Sequence, residues 1–317
     1  MSGMAGQLGQ VAANTEFLSI ANEIFNKRPG GPWSMLAKSV PLDGQSLELD
    51  AIGPSPAVRK MLGSRRFTSL RAYAQRTPAV VYSADALEFA RLKVINDKSG
   101  VLRARLADYL ADTASFFEKP VIDLLLSNPL GIDATALFSA THPYGPSAGT
   151  WDNITSGGLD QTELEGGIVA MRGLRFENGE PAGFFPTHLI VGPALEREAL
   201  DLTGADRMMP VSNAGAPDAT SSVVAAVTIK NWIGGRLEVM VVDRFADGTH
   251  DSDWVLADLS KPNIRPIVIG EAIAPAGVVI DSPQSEPMVQ REAFQYYVSG
   301  TAAIAGYAPQ TVYGKMT

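Results

Sequence analysis

The chain of 317 residues is long enough to bury a substantial core, and its 45% hydrophobic and 19% charged content is typical of a globular protein. It has no cysteine, which excludes disulfides and thiolate metal sites, and no apolar run that approaches the ~20 residues of a membrane helix. The net charge of −8 is unevenly spread, because residues 1–127 carry 15 basic and 12 acidic side chains whereas residues 128–317 carry 11 and 22.

The first predicted element is an amphipathic helix over residues 14–28. The N-terminal sequence lacks the basic and apolar regions of a secretory signal. Asn14 or Thr15 can cap the helix, and Pro29-Gly30-Gly31 ends it. So short a helix with so wide an apolar face must dock on its own core or on a neighbouring chain. The apolar stripe consists of Phe17, Leu18, Ile20, Ala21, Ile24 and Phe25.

A long polar ribbon is predicted next. Residues 46–52 alternate with a period of two, which indicates a strand, and residues 57–83 return through a segment rich in Ala, Val and Tyr. Because so polar a ribbon has little core to cover, we expect it to project from the body. Residues 51–84 contain six basic side chains and no acidic one: Arg59, Lys60, Arg65, Arg66, Arg71 and Arg76.

Three interpretations of this basic run are open: a solvated loop, a nucleic-acid-binding segment, or an arm that docks on an acidic neighbour. Nucleic-acid binding is the weakest, because the whole chain is acidic and few aromatic residues interleave with the basic ones. The other two differ only in whether a partner chain is present.

The middle of the chain is predicted to hold a strand and a long helix. Residues 87–95 alternate, with Leu92 and Val94 on the more apolar face. Apolar residues then recur at three- and four-residue steps over 99–127, which predicts a helix of roughly 40 Å that lies as a spine across a sheet. Pro120 removes one backbone donor and should kink this helix or split it in two.

The second half is predicted to alternate between helices and strands. A loop over 129–158 precedes an acidic-capped helix over 160–173, in which Gly166-Gly167 indicates a close-packing point rather than a phosphate-binding loop. The remaining predictions are a tight turn at Asn178-Gly179, a buried strand at 188–191, a helix at 193–203, a loop at 211–222 and strands near 223–230, 236–245, 253–259, 264–281 and 289–315.

No residue pattern predicts an active site. We expect His142 to have a structural role in hydrogen bonding, while Glu196 and Glu198 point to different faces of a helix and cannot act as an acid–base pair. The best catalytic candidate is an acidic run around His250, which could hold a divalent cation but equally fits a polar hairpin tip. This run comprises Asp243, Asp247, His250, Asp251 and Asp253. With no nucleophile motif and no phosphate-binding loop, we predict no catalytic, cofactor-binding or metal-binding residue.

The order of the segments resembles the major head subunits of Mu-like tailed phages. Residues 52–70, IGPSPAVRKMLGSRRFTSL, look like that family's stretch of proline, arginine and glycine, and residues 81–102 are similar to the strand and acidic turn before its spine helix. The aromatic C-terminus around Tyr307 and Tyr313 is also similar. The block between them is represented by Phe138, His142, Asn153, Leu159, Met171, Pro186, Leu189, Val191 and Leu195.

The resemblance implies an α+β Hong Kong 97-type capsid fold. Carried onto this chain, it consists of an N-terminal arm (1–38), an extended loop (39–82), a peripheral domain (83–155 and 256–317) with the spine helix 99–127, and an axial domain (156–255). It also implies that two sets of side chains contact neighbouring subunits. These are Arg59, Lys60, Arg65, Arg66, Arg71 and Arg76 in the loop, and Phe17, Leu18, Ile24 and Phe25 in the arm.

The implied function is that of the major capsid protein of a tailed phage or prophage, which assembles with itself into hexamers and pentamers of an icosahedral head that encloses double-stranded DNA. Further implied partners are a separate scaffold protein, a portal and a decoration protein, with no membrane. The implied location is the virion, assembled in the cytoplasm of the bacterial host. The alternatives are an encapsulin-like or gene-transfer-agent shell, and a metal-dependent enzyme that uses Asp243, His250 and Asp253.

Overall fold

A computed structural model describes residues 14–15, 17–25, 31–52, 72–95, 101–144, 149–175, 180–204, 206–211 and 225–317. The chain divides into two compact units. Unit 1 is built from Met1–Glu48, Arg76–Ile122 and Val268–Ala305, and unit 2 from Leu49–Gln75, Asp123–Ile267 and Gly306–Thr317.

The strands are β1 (Ala37–Pro41), β2 (Ser46–Ile52), β3 (Ala72–Pro78), β4 (Val80–Ser83), β5 (Leu87–Ala90), β6 (His142–Pro143), β7 (Thr150–Trp151), β8 (His188–Val191), β9 (Asp206–Val211), β10 (Ala225–Lys230), β11 (Glu238–Val241), β12 (Trp254–Ala257), β13 (Ile267–Ile280), β14 (Ala293–Gly306) and β15 (Val312–Lys315). The helices are α1 (residues 17–25), α2 (Pro32–Leu36), α3 (Arg91–Ile95), α4 (Val101–Asp112), α5 (Glu118–Leu126), α6 (Gln161–Gly173), α7 (Glu196–Thr203) and α8 (Glu286–Arg291). Short 3₁₀ turns lie at Pro193–Leu195, Asp243–Phe245 and Pro309–Thr311.

Strand β14 organises the sheet of unit 1, whose order is β1-β13-β14-β4. Both β4 and β5 pair antiparallel with β14, at successive positions along it. Phe294, Tyr296 and Val298 alternate along β14 and are fully buried. The helices α1 and α4 pack on these side chains and close the core of this unit.

The predicted ribbon is confirmed in its strands. β2 has the bounds expected from the alternation over 46–52, and it pairs with β3 in a separate two-stranded sheet. The N–H of Ala79, between β3 and β4, donates to the carbonyl oxygen of Gln45 at 2.9 Å and closes the base of the pair. Residues 53–71 lie outside the described part of the chain.

Helix α1 docks on the core of unit 1. Asn14, which is also helical, donates from Nδ2 to Asp281 Oδ2 at 2.8 Å, and its Oδ1 accepts from the Tyr296 hydroxyl at 2.7 Å. Phe17 packs edge to face on Tyr296 with the ring centroids 5.3 Å apart. Burial raises the pKa of Tyr296 to about 12, so its hydroxyl stays a donor at neutral pH.

The helix predicted over 99–127 is present as two helices, which is the split that Pro120 predicts. Helix α4 ends at Asp112, residues 113–117 form turns, and α5 begins at Glu118. Pro120 explains the break, because its ring would clash with the carbonyl oxygen of Phe116 in a continuous helix. In α5 the proline occupies the first turn, where a backbone donor has no partner within the helix.

The strand predicted over 87–95 is wrong in its second half. Strand β5 ends at Ala90 and α3 follows directly. Alternation placed Leu92 and Val94 on one face, but a helix turns them about 200° apart. Val94 is accordingly buried, whereas Leu92 is 67% exposed.

The strand predicted over 289–315 is also corrected. Its first residues belong to α8, which carries Pro287 in its first turn, a favourable position because the φ of proline is already helical. Strand β14 then ends at Gly306, and Pro309, which has no N–H to donate, separates it from β15 in a 3₁₀ turn.

The sheet of unit 2 has the order β11-β8-β12-β15. Strand β11 runs parallel to β8, and β12 runs antiparallel to both of its neighbours. Helices α6 and α7 cover one face of this sheet and bury one shared cluster against it. The cluster includes Leu164, Ile168 and Met171 of α6, Ala199 and Leu202 of α7, Leu189 and Val191 of β8, and Trp254 and Leu256 of β12.

The predicted elements of unit 2 are confirmed where they are described. Asp160 caps α6 by accepting from the Glu163 N–H at 2.9 Å. The buried strand is β8, the helix after Pro193 is α7, and the strands near 223–230, 236–245 and 253–259 are β10, β11 and β12. The Asn178-Gly179 turn lies outside the described residues, as does the predicted loop beyond Val211.

Two adjacent glycines in α6 have opposite surroundings. A Cβ at Gly167 would lie 2.6 Å from the Tyr313 ring and 2.9 Å from Leu256 Cδ1. A Cβ at Gly166 would meet nothing within 4 Å. The expected close-packing point is therefore confirmed, at Gly167.

We predict opposite effects for alanine at these two positions. Gly166→Ala should raise the free energy of unfolding by about 0.5–1 kcal/mol, because alanine loses less backbone entropy in a helix. Gly167→Ala should lower it by about 1–3 kcal/mol, because the added methyl overpacks the helix–sheet contact. Urea unfolding of both variants measures the difference, and effects of the same sign would contradict the packing described here.

Candidate functional site

His142 is the centre of a buried hydrogen-bond network. Its Nε2 lies 3.0 Å from Asn153 Oδ1, and its Nδ1 lies 2.7 Å from Asp133 Oδ2. Asn153 donates from Nδ2 to the carbonyl oxygens of Leu137 and Pro309, at 2.7 and 3.0 Å, which fixes the orientation of its amide. The network ties the loop over 129–158 to the segment before β15, as the structural role expected for His142 requires.

We predict that Asn153→Ala lowers the free energy of unfolding by about 3 kcal/mol or more, because it leaves several buried donors and acceptors unpaired. Asp152→Ala is the matched control at an exposed neighbour and should change it by less than about 0.5 kcal/mol. Urea unfolding compares the two, and equal stabilities would show that the network does not hold the loop.

The acidic run around His250 is a hydrogen-bonded turn. Buried Asp253 accepts from His250 Nδ1 at 2.8 Å and from the backbone N–H and hydroxyl of Thr317 at 2.9 and 2.7 Å. Asp247 accepts from two backbone N–H groups at 2.8 Å, foremost that of His250, and these bonds lower the pKa of its carboxyl. Asp243 lies apart in a 3₁₀ turn. Among the residues that the structure describes, no group of three or more His, Asp or Glu side chains is arranged to hold a metal ion.

His188 has a buried ring nitrogen without a hydrogen bond. Its Nδ1 bonds with the Thr187 hydroxyl at 2.8 Å, whereas its Nε2 lies 3.4 Å from Glu238 Oε2 in an ion-pair geometry too poorly aligned for a hydrogen bond. Burial lowers the pKa of His188 below its usual 6.5, against the opposing effect of Glu238 and with a smaller lowering by Arg265.

This pKa shift predicts the sign of a pH effect. The unfolded chain takes up a proton near the usual 6.5, whereas folded His188 takes it up only at lower pH, so acidification through 6.5 should destabilise the fold. An NMR titration of the His188 ring should give a pKa below 6.5, and Glu238→Gln should lower it further because the carboxylate that favours the charged ring is gone. A pKa above 6.5 in the wild-type protein would refute the assignment.

Of the basic residues predicted to meet a neighbour, the structure describes only Arg76. Its Nε donates to Ser46 Oγ at 2.9 Å and lies 3.8 Å from Glu48 Oε1, with both charged side chains largely exposed. Arg76 therefore braces β3 against β2 across the ribbon. The other five, Arg59, Lys60, Arg65, Arg66 and Arg71, lie outside the described residues.

The apolar residues predicted to meet a neighbour from the arm lie on α1. Phe17 is fully buried in unit 1, and Ile24 and Phe25 pack against the same cluster. Leu18 is 38% exposed. Contacts of these residues with another subunit stay a prediction.

Unit 2 carries exposed apolar side chains that sequence reasoning missed. Trp232, Phe185 and Val169 are 43%, 54% and 67% exposed. A guanidinium covers each aromatic ring, with Arg236 Cζ 5.7 Å from the Trp232 centroid and Arg172 Cζ 5.3 Å from the Phe185 ring centroid. Helical periodicity could have predicted that Val169 lies on the exposed side of α6. No sequence pattern predicts that Trp232 and Phe185 lie beside this helix.

These arrangements favour a protein that works through its surfaces. The histidines and carboxylates described above bond within the chain, whereas ordered aromatic and cationic side chains face outward. Exposed aromatic residues beside arginine are typical of protein–protein interfaces.

Comparison with known proteins identifies the class. Residues 73–313 match the family described as phage capsid protein. Because this match covers well over half of the sequence, the chain belongs to the phage capsid protein family. No curated protein sequence matches it.

Solved capsid structures have a similar fold. The procapsid protein of bacteriophage JBD30 is 14% identical, with 97% of this chain and 74% of that chain covered and a TM-score of 0.54. The mature capsid protein of bacteriophage PhiM1 is 12% identical, with coverages of 91% and 88% and a TM-score of 0.54. The virus-like particle of Pyrococcus furiosus is 10% identical, with coverages of 95% and 98% and a TM-score of 0.53. At these identities the similarity shows the fold alone, and these neighbours confirm a mixed α and β fold of the Hong Kong 97 type.

Family membership gives the function in general terms. The protein is a phage major capsid protein, a structural subunit of the virion that assembles with its own copies into an icosahedral shell. Within the described segments, no helix combines the length and hydropathy that crossing a bilayer requires.

Proposed function

We propose that the chain is the major head subunit of a Mu-like tailed phage or prophage, which forms hexamers and pentamers around double-stranded DNA. The family match over residues 73–313 is the observation that carries this proposal. The order of the segments that resemble Mu-like subunits supports the subtype. Residues 128–317 carry 22 acidic and 11 basic side chains, and this negative charge suits a shell that encloses DNA without binding it tightly.

The proposal divides the chain into an arm (1–38), an extended loop (39–82), a peripheral domain (83–155 and 256–317) and an axial domain (156–255). Pairing of β2 with β3 supports a ribbon-shaped extended loop. Packing of α4 on β14 supports a peripheral domain built on a helix and a long sheet. The α6–α7 layer over β8 and β12 supports an axial domain with its own core.

In this assembly the basic extended loop rests on an acidic surface of the next subunit within residues 196–258. Exposed carboxylates outside α7 occur there on β11 and in the turn after it, at Glu238 and Asp243. On the arm, Leu18 is exposed and Ile24 and Phe25 are partly buried, so these three side chains have surface left for a neighbour. Opposite charges on the loop and on the surface that it contacts speed the association of two subunits and fix their relative position more than they increase the affinity.

Assembly takes place in the host cytoplasm with a separate scaffold, a portal and a decoration protein as further partners. The chain itself has no catalytic role in this proposal. The buried and hydrogen-bonded state of Asp253 supports this view against a metal-dependent enzyme, because its oxygens are already bonded to His250 and Thr317.

A second candidate is a shell that holds cargo other than a phage genome, such as an encapsulin-like or gene-transfer-agent shell. This candidate is supported by the similarity to the Pyrococcus furiosus virus-like particle, which covers 95% of this chain and 98% of that one. Negative-stain imaging of purified particles, followed by nuclease treatment and analysis of the contents, separates the two. A compact monomer under every assembly condition would reject both.

We predict that Arg65→Glu combined with Arg66→Glu sharply reduces the yield of shells, because like charges would then oppose across the loop contact. Arg65→Lys with Arg66→Lys keeps the charge and is the matched control. Particle yield is measured by sedimentation and electron microscopy. If the Glu variant gives the wild-type yield of shells, the basic run does not contribute to the assembly contact.

A further inference from the structure

A stripe along the outer side of α6 has the composition of an interface centre. It is formed by Val169 and Arg172 of α6 with Phe185, Trp232 and Arg236 from two loops, and is called the α6 stripe here. Tryptophan and arginine are the residues that most often dominate binding energy at interfaces, and each exposed ring of this stripe has a guanidinium over it.

The two aromatic residues of the stripe are held in place before any partner arrives. The indole N–H of Trp232 donates to Glu165 Oε1 at 3.0 Å, and Gln161 holds the same oxygen at 2.7 Å. The backbone N–H of Phe185 donates to Asp258 Oδ2 at 3.0 Å, and Asp258 is fully buried. Such preorganisation lowers the entropy cost of binding, since the Trp232 ring and the backbone at Phe185 need not be ordered when a contact forms.

Cations of the stripe lie over aromatic rings rather than beside carboxylates of the described residues. Within the described residues, neither Arg172 nor Arg236 pairs with a carboxylate; each lies over an aromatic ring instead. A guanidinium over an exposed ring keeps its N–H donors free for a carboxylate of another molecule.

The same unit also exposes a surface of complementary charge. The outer side of α7, called the α7 face here, combines one exposed leucine with two exposed carboxylates and one exposed arginine, so that its net charge is negative. Its members are Glu196, Arg197, Leu200 and Asp201, and Leu200 is 52% exposed. The two surfaces are complementary. Each has an exposed apolar side chain, Leu200 or Val169, and the carboxylates beside Leu200 are opposite in charge to the arginines beside Val169.

We infer that the α6 stripe of one subunit docks on the α7 face of the next copy within a capsomer, which rests on the proposed function. Because the two surfaces differ, the contact is heterologous and repeats from copy to copy around a closed ring. Val169 and the aromatic rings meet Leu200, and Arg172 and Arg236 meet the carboxylates of α7.

Cross-linking tests the contact directly, because the chain has no cysteine of its own. Val169→Cys protein is mixed with a size-tagged Leu200→Cys protein, assembled, and treated with a short thiol-specific cross-linker. Only contacts between chains can join the two variants. The matched control replaces Leu200→Cys by Val289→Cys, since Val289 is 68% exposed on α8 of unit 1 and Val169 is 67% exposed.

We expect roughly tenfold more Val169–Leu200 heterodimer than Val169–Val289 heterodimer, since docking raises the effective concentration of the facing thiols. Two results would overturn the contact: equal yields of the two heterodimers, or Val169→Cys protein cross-linked mainly to itself. If shells still assemble, either result leaves the proposed function standing. Unmodified protein that forms no capsomer under any condition would overturn the proposed function together with the contact.

Charge exchange gives a second readout that does not depend on thiol geometry. Arg172→Glu should reduce the capsomer fraction in sedimentation, and adding Asp201→Arg should restore most of it, because the pair is then reversed rather than lost. Restoration by Asp201→Arg but not by Asp108→Arg, a change at an exposed carboxylate of α4 in unit 1, is the expected result. Equal restoration by both would show a general effect of net charge and overturn the pairing.

Discussion

The pairing of one long strand, β14, is the constraint on which unit 1 depends. This strand of 14 residues pairs with β13 along one edge and with β4 and β5 along the other. An unpaired backbone group in a buried strand is costly, so this pairing fixes the register of both short strands. Because Ala79 alone separates β4 from β3, the base of the β2–β3 ribbon is fixed as well, and α1 closes the core through Tyr296.

Unit 2 separates its polar groups into two classes, which explains why it works through its surface. His142, Asn153 and Asp253 are buried and bonded within the chain, where they hold loops and the last strand in place. Arg172 and Arg236 lie outside, over the exposed aromatic rings of Phe185 and Trp232. The buried groups stabilise the fold, and the exposed arginines can contact another molecule.

The particular errors of sequence reasoning share a physical cause. Alternation over 87–95 favours a strand throughout, and only the packing of Val94 with α4 and β14 selects a helix for the second half. By contrast, the split that Pro120 predicts is present, and it lies ahead of the proline because the ring obstructs the carbonyl of the preceding turn. The α6 stripe could not be predicted, since Phe185 and Trp232 reach α6 from loops whose paths depend on Asp258 and Asn231.

By itself, the sequence determined the periodic elements, the close-packing glycine in α6, the absence of a catalytic pattern, and the resemblance to phage head subunits that the family match made firm. These features are local, or follow from the order of segments, so that no long-range contact is needed to read them. Only the tertiary structure decided that α1 lies on its own core and that His188 is buried beside Glu238. It also brought Arg172, Arg236, Phe185 and Trp232 together at α6. Such contacts join residues far apart in the chain, and burial and hydrogen bonding select them only once the sheets have formed.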